Sequence, residues 1–220
     1  MAKDSTARVL PDFEQPVAPR KSQFGGGDLP PPVRPSVPVG ANAWLAVVMV
    51  LGSEAMFFAG LIGAYLVFRV GATIWPPPFQ PRLPVIVTGI NTAILLASAL
   101  TMRQAIHAVR RGDPSRLTRH IGVTALLGAT FLTVQGFEWL ELIHFGLTVS
   151  SSVYGGLFYT LIGFHAAHVL VALVWLCIVF RLALNGRYSK AYHVGLQTCA
   201  MYWTFVVALW PILYGLVYLY

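Results

Sequence analysis

The chain has 220 residues, of which 56% are hydrophobic and only 10% are charged, with a formal net charge of +7. Soluble domains carry about 25% charged residues, so this composition excludes an ordinary soluble domain and indicates a polytopic membrane protein. The basic residues lie in short connections between apolar runs. That placement follows the positive-inside rule rather than the pattern of a nucleic-acid-binding surface, and no nucleic-acid partner is expected.

Residues 1–40 differ in composition from the rest of the chain. Eight of the 15 prolines lie here, together with a run of three glycines at 25–27 and charges of both signs. The segment has no apolar stretch of the kind found in a signal peptide. Such a composition cannot bury a core, so we predict an extended Pro/Gly-rich tail on the cytoplasmic side.

Five apolar segments follow, each about long enough to cross a hydrocarbon core of roughly 30 Å as a helix. Their approximate bounds are 43–68, 85–102, 121–144, 153–180 and 195–220. A proline-rich turn follows the first segment, and Pro211 and Gly215 are expected to kink or loosen the fifth. The predicted fold class is an all-α integral membrane protein, with a bundle of five transmembrane helices over residues 41–220 behind the tail.

The distribution of Lys and Arg predicts the orientation. Five basic residues follow the second segment, none follows the third and three follow the fourth. Basic connections remain in the cytoplasm. Five crossings therefore place the N-terminus in the cytoplasm and the C-terminus outside.

Glu54 is the only charged residue in the first segment. A charged side chain at the centre of a bilayer costs about 2.5–3.5 kcal/mol on insertion scales, so such residues face the protein interior and meet a polar partner. A rise of about 1.5 Å per residue places Glu54 near mid-membrane, at a depth similar to that of His165 and one turn from His168. We expect a largely protonated Glu54 that forms a hydrogen bond with one of these two histidines.

Other polar side chains of the spans are expected to act as interior partners, namely Asn91, Gln135 and Glu138. His165 and His168 share a helix face, but they cannot close a metal site without ligands from elsewhere. Glu141 and His144 form a single Glu-x-x-His pair, and a di-iron site needs two such pairs and two further glutamates. We therefore expect no metal site in this chain.

Five motifs occur in order along these segments. They are Ser-Glu-x-x-Phe-Phe-x-Gly at 53–60, Asn-Thr-x-x-Leu-Leu-x-Ser at 91–98, Phe-Leu-x-x-Gln-x-x-Glu-Trp at 131–139, a Tyr-Gly…Gly-Phe-His-x-x-His-Val stretch at 154–169, and Tyr-Trp-x-Phe-Val…Trp at 202–210. Together they resemble subunit III of the haem–copper respiratory oxidases, in the five-helix form found in bacteria. The last motif departs from the family pattern, since Thr204 and Val207 stand where the family has histidine and aspartate.

The resemblance implies a non-catalytic subunit of a proton-pumping cytochrome c oxidase in the bacterial inner membrane. It would pack on subunit I, which carries the haems and copper, and through it associate with subunit II and a respiratory supercomplex. The chain itself would bind no cofactor, but it would hold phospholipid in a cleft between helices and support proton uptake and sustained turnover. Glu54 corresponds to the family's carbodiimide-reactive glutamate, and Arg181 is a predicted lipid-phosphate contact.

Two alternatives stay open at this point. The first is a subunit III-like component of a quinol oxidase or a nitric oxide reductase, because subunit III does not touch the electron donor. The second is a stand-alone membrane transporter or proton channel that uses Glu54 and the histidines as a relay. Against the second, transporters of this size usually contain inverted repeats, and the sequence shows none.

Overall fold

A computed structural model describes residues 39–75, 77 and 83–220, with side chains from residue 42 onward. The helices are α1 (Val39–Gly71), α2 (Val85–Arg111), α3 (Pro114–His144), α4 (Val153–Leu184) and α5 (Val194–Tyr214), and a π-helical turn (Gly215–Leu219) follows α5. The predicted tail and most of the predicted proline-rich turn lie outside the described residues.

All five helices are long and apolar enough to cross a membrane. Within the described ranges the chain contains helices and turns but no strand. The predicted fold class, an all-α bundle of five membrane-spanning helices, is therefore confirmed.

The turn between α2 and α3 is much shorter than the apolar pattern indicates. The basic residues from 103 onward continue α2 to Arg111, and α3 begins at Pro114. Gly112 ends α2 in the left-handed conformation (φ 77°), which glycine adopts without steric cost. Asp113 then caps α3 by accepting the backbone N–H of Arg116 at 3.0 Å. The length of an apolar run reflects the thickness of the hydrocarbon core, whereas α2 and α3 continue beyond their apolar runs to these capping residues.

Helices α2, α3, α4 and α5 pack in a ring, each against its two neighbours, and α1 packs outside the ring against α5 and α4. Four of the largest fully buried side chains belong to helices of the ring, namely Trp203, Trp210, Phe131 and Phe158. Most of the surface of α1 is left uncovered by the other described residues, and its exposed residues are mainly apolar.

Two tryptophans of α5 join it to α2. The indole N–H of Trp203 donates to Ser98 Oγ at 3.1 Å, and that of Trp210 donates to Thr92 Oγ1 at 2.8 Å. A buried indole N–H needs such a partner, so each bond fixes the rotation of α5 about its axis as well as its distance from α2. These contacts set the positions of the aromatic rings against which the polar interior residues pack.

The end of α5 is loosened at the residues that the sequence indicates. Pro211 lies inside the helix, and from Gly215 the chain changes to the π-helical turn. The hydroxyl of Tyr214 donates to the carbonyl oxygen of Val85 at 3.0 Å, which ties this end to the start of α2. The turn also buries Tyr218, whose hydroxyl faces α3.

Candidate functional site

A carboxyl group and an imidazole meet between α1 and α4. Glu54 Oε2 lies 2.7 Å from His168 Nε2, and the two side chains are 22% and 18% exposed. Each residue lies near the middle of its helix. Of the two histidines that the sequence offers to Glu54, the structure places His168 at the carboxyl group.

The other ring nitrogen of His168 fixes the proton arrangement of this pair. Nδ1 lies 2.6 Å from the carbonyl oxygen of Phe164, which can only accept, so Nδ1 carries a hydrogen. One proton then lies between Nε2 and Glu54 Oε2. Whether the pair is written as acid and imidazole or as carboxylate and imidazolium, its net charge is zero. That neutrality lowers the cost of placing it within the membrane.

Aromatic rings surround the Glu54–His168 pair. The ring of Phe58 is 1% exposed and lies edge-on to His168 at 5.1 Å between centroids. Phe57 lies 5.1 Å from Phe164 in the same geometry. These edge-to-face contacts attach α1 to α4 on both sides of the polar pair, so the pair is held in an apolar frame.

His165 occupies a different environment from His168. It is fully buried, and neither of its ring nitrogens has a hydrogen-bond partner among the described residues. Its ring stacks on Trp210 with 4.9 Å between centroids, and the rings of Phe58 and Phe131 lie in T-shaped geometry with 6.4 Å between centroids. His165 is therefore part of the aromatic core and is not bonded to Glu54.

Two of the remaining predicted interior residues, Gln135 and Glu138, form a second polar cluster that does not include Glu54. Glu138 is 5% exposed, and both of its carboxyl oxygens contact Thr88 Oγ1, at 3.0 and 2.9 Å. Gln135 Nε2 lies 3.0 Å from Glu138 Oε2 and 3.3 Å from the hydroxyl of Tyr218. Asn91 instead donates to the backbone oxygen of Phe131 at 3.0 Å.

Sequence reasoning missed Thr88 and Tyr218 as members of this cluster. Thr88 lies three residues before Asn91 and so shares its helix face, which is a signal that the sequence contains. Tyr218 gives no such signal, because its direction depends on the π-helical turn.

A cleft of about 730 Å³ opens between α1, α2 and α5 at the end of the bundle that holds the α2–α3 turn. Its basic residues are Arg103, His107 and Arg110, and its apolar walls include Leu51 and Met102. The three basic residues are spaced i, i+4, i+7, which places them on one face of a helix. Sequence reasoning missed this face because it assigned these residues to a loop.

Arg181, the predicted lipid-phosphate contact, lies in the last turn of α4, is exposed and does not line this cleft.

The two departures from the family motif, Thr204 and Val207, lie in different environments. Thr204 lines the cleft and donates to the carbonyl oxygen of Ala200 at 2.7 Å, whereas Val207 is 2% exposed in the core. The polar contacts expected of histidine and aspartate are replaced by a helix-internal bond and by apolar packing.

Metal-binding geometry does not occur within the part of the chain that the structure describes. No three residues of the types His, Cys, Asp and Glu come together there in a way that could hold a metal ion. Glu141 and His144 are both exposed, at the end of α3.

The fold and the polar residues define a class, a multi-pass α-helical membrane protein with a carboxyl–imidazole pair between two spans. A family model described as cytochrome c oxidase subunit III matches residues 35–220. The chain is 38% identical over 187 residues to a probable cytochrome c oxidase subunit 3 of Nocardia farcinica, covering 83% of this chain and 87% of that one.

Other relatives agree. Cytochrome c oxidase subunit 3 of Synechocystis sp. is 37% identical over 174 residues, which is 79% of this chain and 73% of the relative. Cytochrome c oxidase subunit 3 of Corynebacterium diphtheriae is 35% identical over 178 residues, which is 79% of this chain and 86% of the relative. The chain belongs to the cytochrome c oxidase subunit III family, and its role is that of subunit III in a haem–copper oxidase complex. The resemblance drawn from the five motifs is thereby confirmed.

Proposed function

We propose that this chain is the non-catalytic subunit III of a proton-pumping cytochrome c oxidase, that it packs on subunit I, and that Glu54 supports proton uptake and sustained turnover there. The observation that carries the proposal is the 2.7 Å contact between Glu54 and His168. A carboxyl group and an imidazole are among the groups that proteins most often use to donate and accept protons.

The Glu54–His168 pair is suited to proton transfer, because moving the shared proton between Oε2 and Nε2 leaves the pair neutral. No net charge has to be created in the membrane for that step, so its electrostatic cost is low. Both side chains keep partial exposure, which leaves a route by which the proton can exchange. In this proposal the two residues hold that proton between α1 and α4.

The outward face of α1 supports packing against subunit I. A Cβ placed at Gly52, Gly60 or Gly63 meets nothing within 4 Å, so the described chain leaves space beside these three positions. Small residues on a membrane helix allow a neighbouring helix to approach closely. A helix of subunit I is the neighbour that we propose, with subunit II and a respiratory supercomplex attached through subunit I.

We further propose that a phospholipid occupies the cleft between α1, α2 and α5. The exposed side chains of Arg103 and Arg110 supply positive charge for a phosphate, and the apolar walls suit acyl chains. Arg181 lies at the same end of the bundle and stays a prediction for a second phosphate contact.

The basic residues support one orientation. The α2–α3 turn, the α4–α5 turn and the start of α1 share one end of the bundle, since alternate helices run in opposite directions. We propose that this end faces the cytoplasm of a bacterial cell and that residue 220 lies on the periplasmic side.

The test uses the whole oxidase, purified gently through a tag on this chain, with an optical spectrum and a subunit inventory. Glu54→Gln is compared with Ser53→Ala, a neighbouring change that removes only a hydroxyl bonded within α1 to Val50. Glu54→Gln should leave assembly and the haem spectrum intact, while proton uptake slows and activity decays faster during turnover. Ser53→Ala should behave as the unaltered complex does.

Two results would contradict the proposal. Loss of the whole haem spectrum in Glu54→Gln would show that the residue is needed for the haem centres themselves. A colourless protein that purifies without a haem-containing partner would favour the stand-alone transporter or channel. Parallel assays with reduced cytochrome c and with quinol distinguish the cytochrome c oxidase from a quinol oxidase.

A further inference from the structure

Glu138 is a second buried acid, remote in its contacts from the Glu54–His168 pair. It lies in the last third of α3 and is 5% exposed. Among the described residues no Lys, Arg or His nitrogen lies within 4.0 Å of its carboxyl oxygens, since the ion pairs found there are Asp113–Arg116 and Glu54–His168. An ionised carboxylate buried without a cation is costly, so its hydrogen-bond partners must account for its state.

The contacts of the Thr88 hydroxyl indicate whether Glu138 carries a hydrogen. Thr88 Oγ1 lies 2.9 Å from the carbonyl oxygen of Pro84, which can only accept, and it also lies 3.0 and 2.9 Å from the two oxygens of Glu138. A hydroxyl has one hydrogen to donate. If Glu138 were ionised, either the contact with Pro84 or the contact with Glu138 would be an oxygen–oxygen approach without a hydrogen. A proton on Glu138 supplies the missing hydrogen.

The amide of Gln135 is compatible with a proton on Glu138. Its nitrogen donates to Glu138 Oε2 at 3.0 Å, which leaves Oε1 to carry the proton toward Thr88. This is the orientation that fits a bond from Glu138 to Thr88, because the acid has only one proton to donate.

We propose that Glu138 is a second, permanent proton-binding site of this chain, a neutral carboxylic acid whose O–H donates to Thr88. It joins α2 to α3 through Thr88 and reaches the C-terminal π-helical turn through Gln135 and Tyr218. Unlike Glu54, it has no base as a partner, so it retains its proton while the Glu54–His168 pair can exchange one. This inference rests on Glu138 alone and is independent of the proposed role of Glu54.

The other ionisable groups around Glu138 favour the neutral form. Glu141 on the same helix adds negative charge, and the group that the C-terminal turn contributes is the phenol of Tyr218. Neither can supply a positive charge at neutral pH. The described parts of α2, α3 and the C-terminal turn thus offer Glu138 hydrogen-bonding groups but no cation.

The test is an infrared difference spectrum of the purified oxidase, unaltered minus Glu138→Gln, in H₂O and in D₂O at neutral and mildly alkaline pH. We expect the variant to lose one C=O band of a protonated carboxyl, present at both pH values and shifted in D₂O. Glu54→Gln serves as the matched control and should leave that band in place. Loss of the symmetric and antisymmetric bands of an ionised carboxylate in Glu138→Gln would overturn the proposal.

A second pair of variants tests the bond between a protonated Glu138 and Thr88, even if the complex with Glu138→Gln does not assemble. Thr88→Val removes the acceptor of the proton, so the same band should shift to higher frequency, as a carboxyl C=O does when its O–H loses a hydrogen bond. Thr88→Ser keeps the hydroxyl and should restore the original band position. An unshifted band in Thr88→Val would show that Thr88 does not hold the proton of Glu138.

Discussion

The indole ring of Trp203 lies directly against the Cα of Gly128. A Cβ built on Gly128 would overlap Trp203 Cη2 and lie 2.9 Å from Cζ2, and Leu173 Cδ1 would lie 3.5 Å away. Gly128 therefore leaves room on α3 for the Trp203 ring of α5, at the level where its indole N–H reaches Ser98 on α2. This one glycine lets Trp203 contact α2 and α3 at the same time.

Gly128→Ala should destabilise the complex. The added methyl group forces the Trp203 ring to move, which costs about 1–3 kcal/mol in a close-packed core. The higher helix propensity of alanine offsets up to about 1 kcal/mol of this. Thermal denaturation of the purified complex measures the effect, with Gly136→Ala on the same helix as control, because a Cβ there meets nothing within 4 Å. Equal melting temperatures for the two variants would contradict the close fit.

Glu54 and His168 should show energetic coupling, and Glu54 and His165 should not. In a double-mutant cycle of Glu54→Gln and His168→Gln, stability should be non-additive by about 0.5–3 kcal/mol, since the two side chains bond directly. The parallel cycle with His165→Gln should be additive to within about 0.5 kcal/mol, because His165 makes no hydrogen bond to Glu54. Stronger coupling to His165 would refute the assignment of the pair.

Phospholipid should be lost when the positive charge of the cleft is removed. Arg103→Gln with Arg110→Gln takes two cations from the cleft lining, and each phosphate contact of this kind contributes about 1 kcal/mol. Mass spectrometry of lipids retained by the purified complex should show a lower ratio of phospholipid to protein. Arg119→Gln, an exposed change outside the cleft, should retain the normal ratio. An unchanged ratio in the double variant would place the lipid elsewhere.

Stability should fall at high pH partly because of Tyr188, which lies between α4 and α5. Burial raises the pKa of the Tyr188 phenol above its usual value of 10.0, and Cys199 and Tyr192 contribute in the same direction. The folded state therefore binds this proton more tightly than the unfolded state. The stabilising effect is complete below about pH 10 and is lost as the pH rises through the raised pKa.

Tyr188→Phe should accordingly flatten the alkaline limb of a plot of melting temperature against pH. Tyr192→Phe is the matched control and should flatten it much less, since Tyr192 is 70% exposed on the same turn and burial contributes more than Tyr192 does to the raised pKa of Tyr188. If Tyr188→Phe leaves the alkaline limb as steep as before, the Tyr188 phenol does not contribute to it.

The spans could be predicted from the sequence because apolar length alone decides whether a helix can cross a membrane. The partner of Glu54 could not be predicted, because the apolar pattern indicates a helix start at residue 43, whereas α1 begins at Val39. That error of about 6 Å exceeds the separation of His165 and His168 along α4, about 4.5 Å. The bond between Glu138 and Thr88 could not be predicted from the sequence either, since it depends on how α2 and α3 are rotated against each other.

The continuation of α2 beyond its apolar stretch affects how the bundle fits its membrane. Its 27 residues extend about 40 Å, whereas a hydrocarbon core is about 30 Å thick. Arg103, His107 and Arg110 follow one another over about 10 Å of the helix axis. Long basic side chains reach toward the polar surface, so at each depth of insertion one of the three lies at the interface. We expect the subunit to be accommodated by bilayers that differ by several ångströms in thickness without any repacking of its helices.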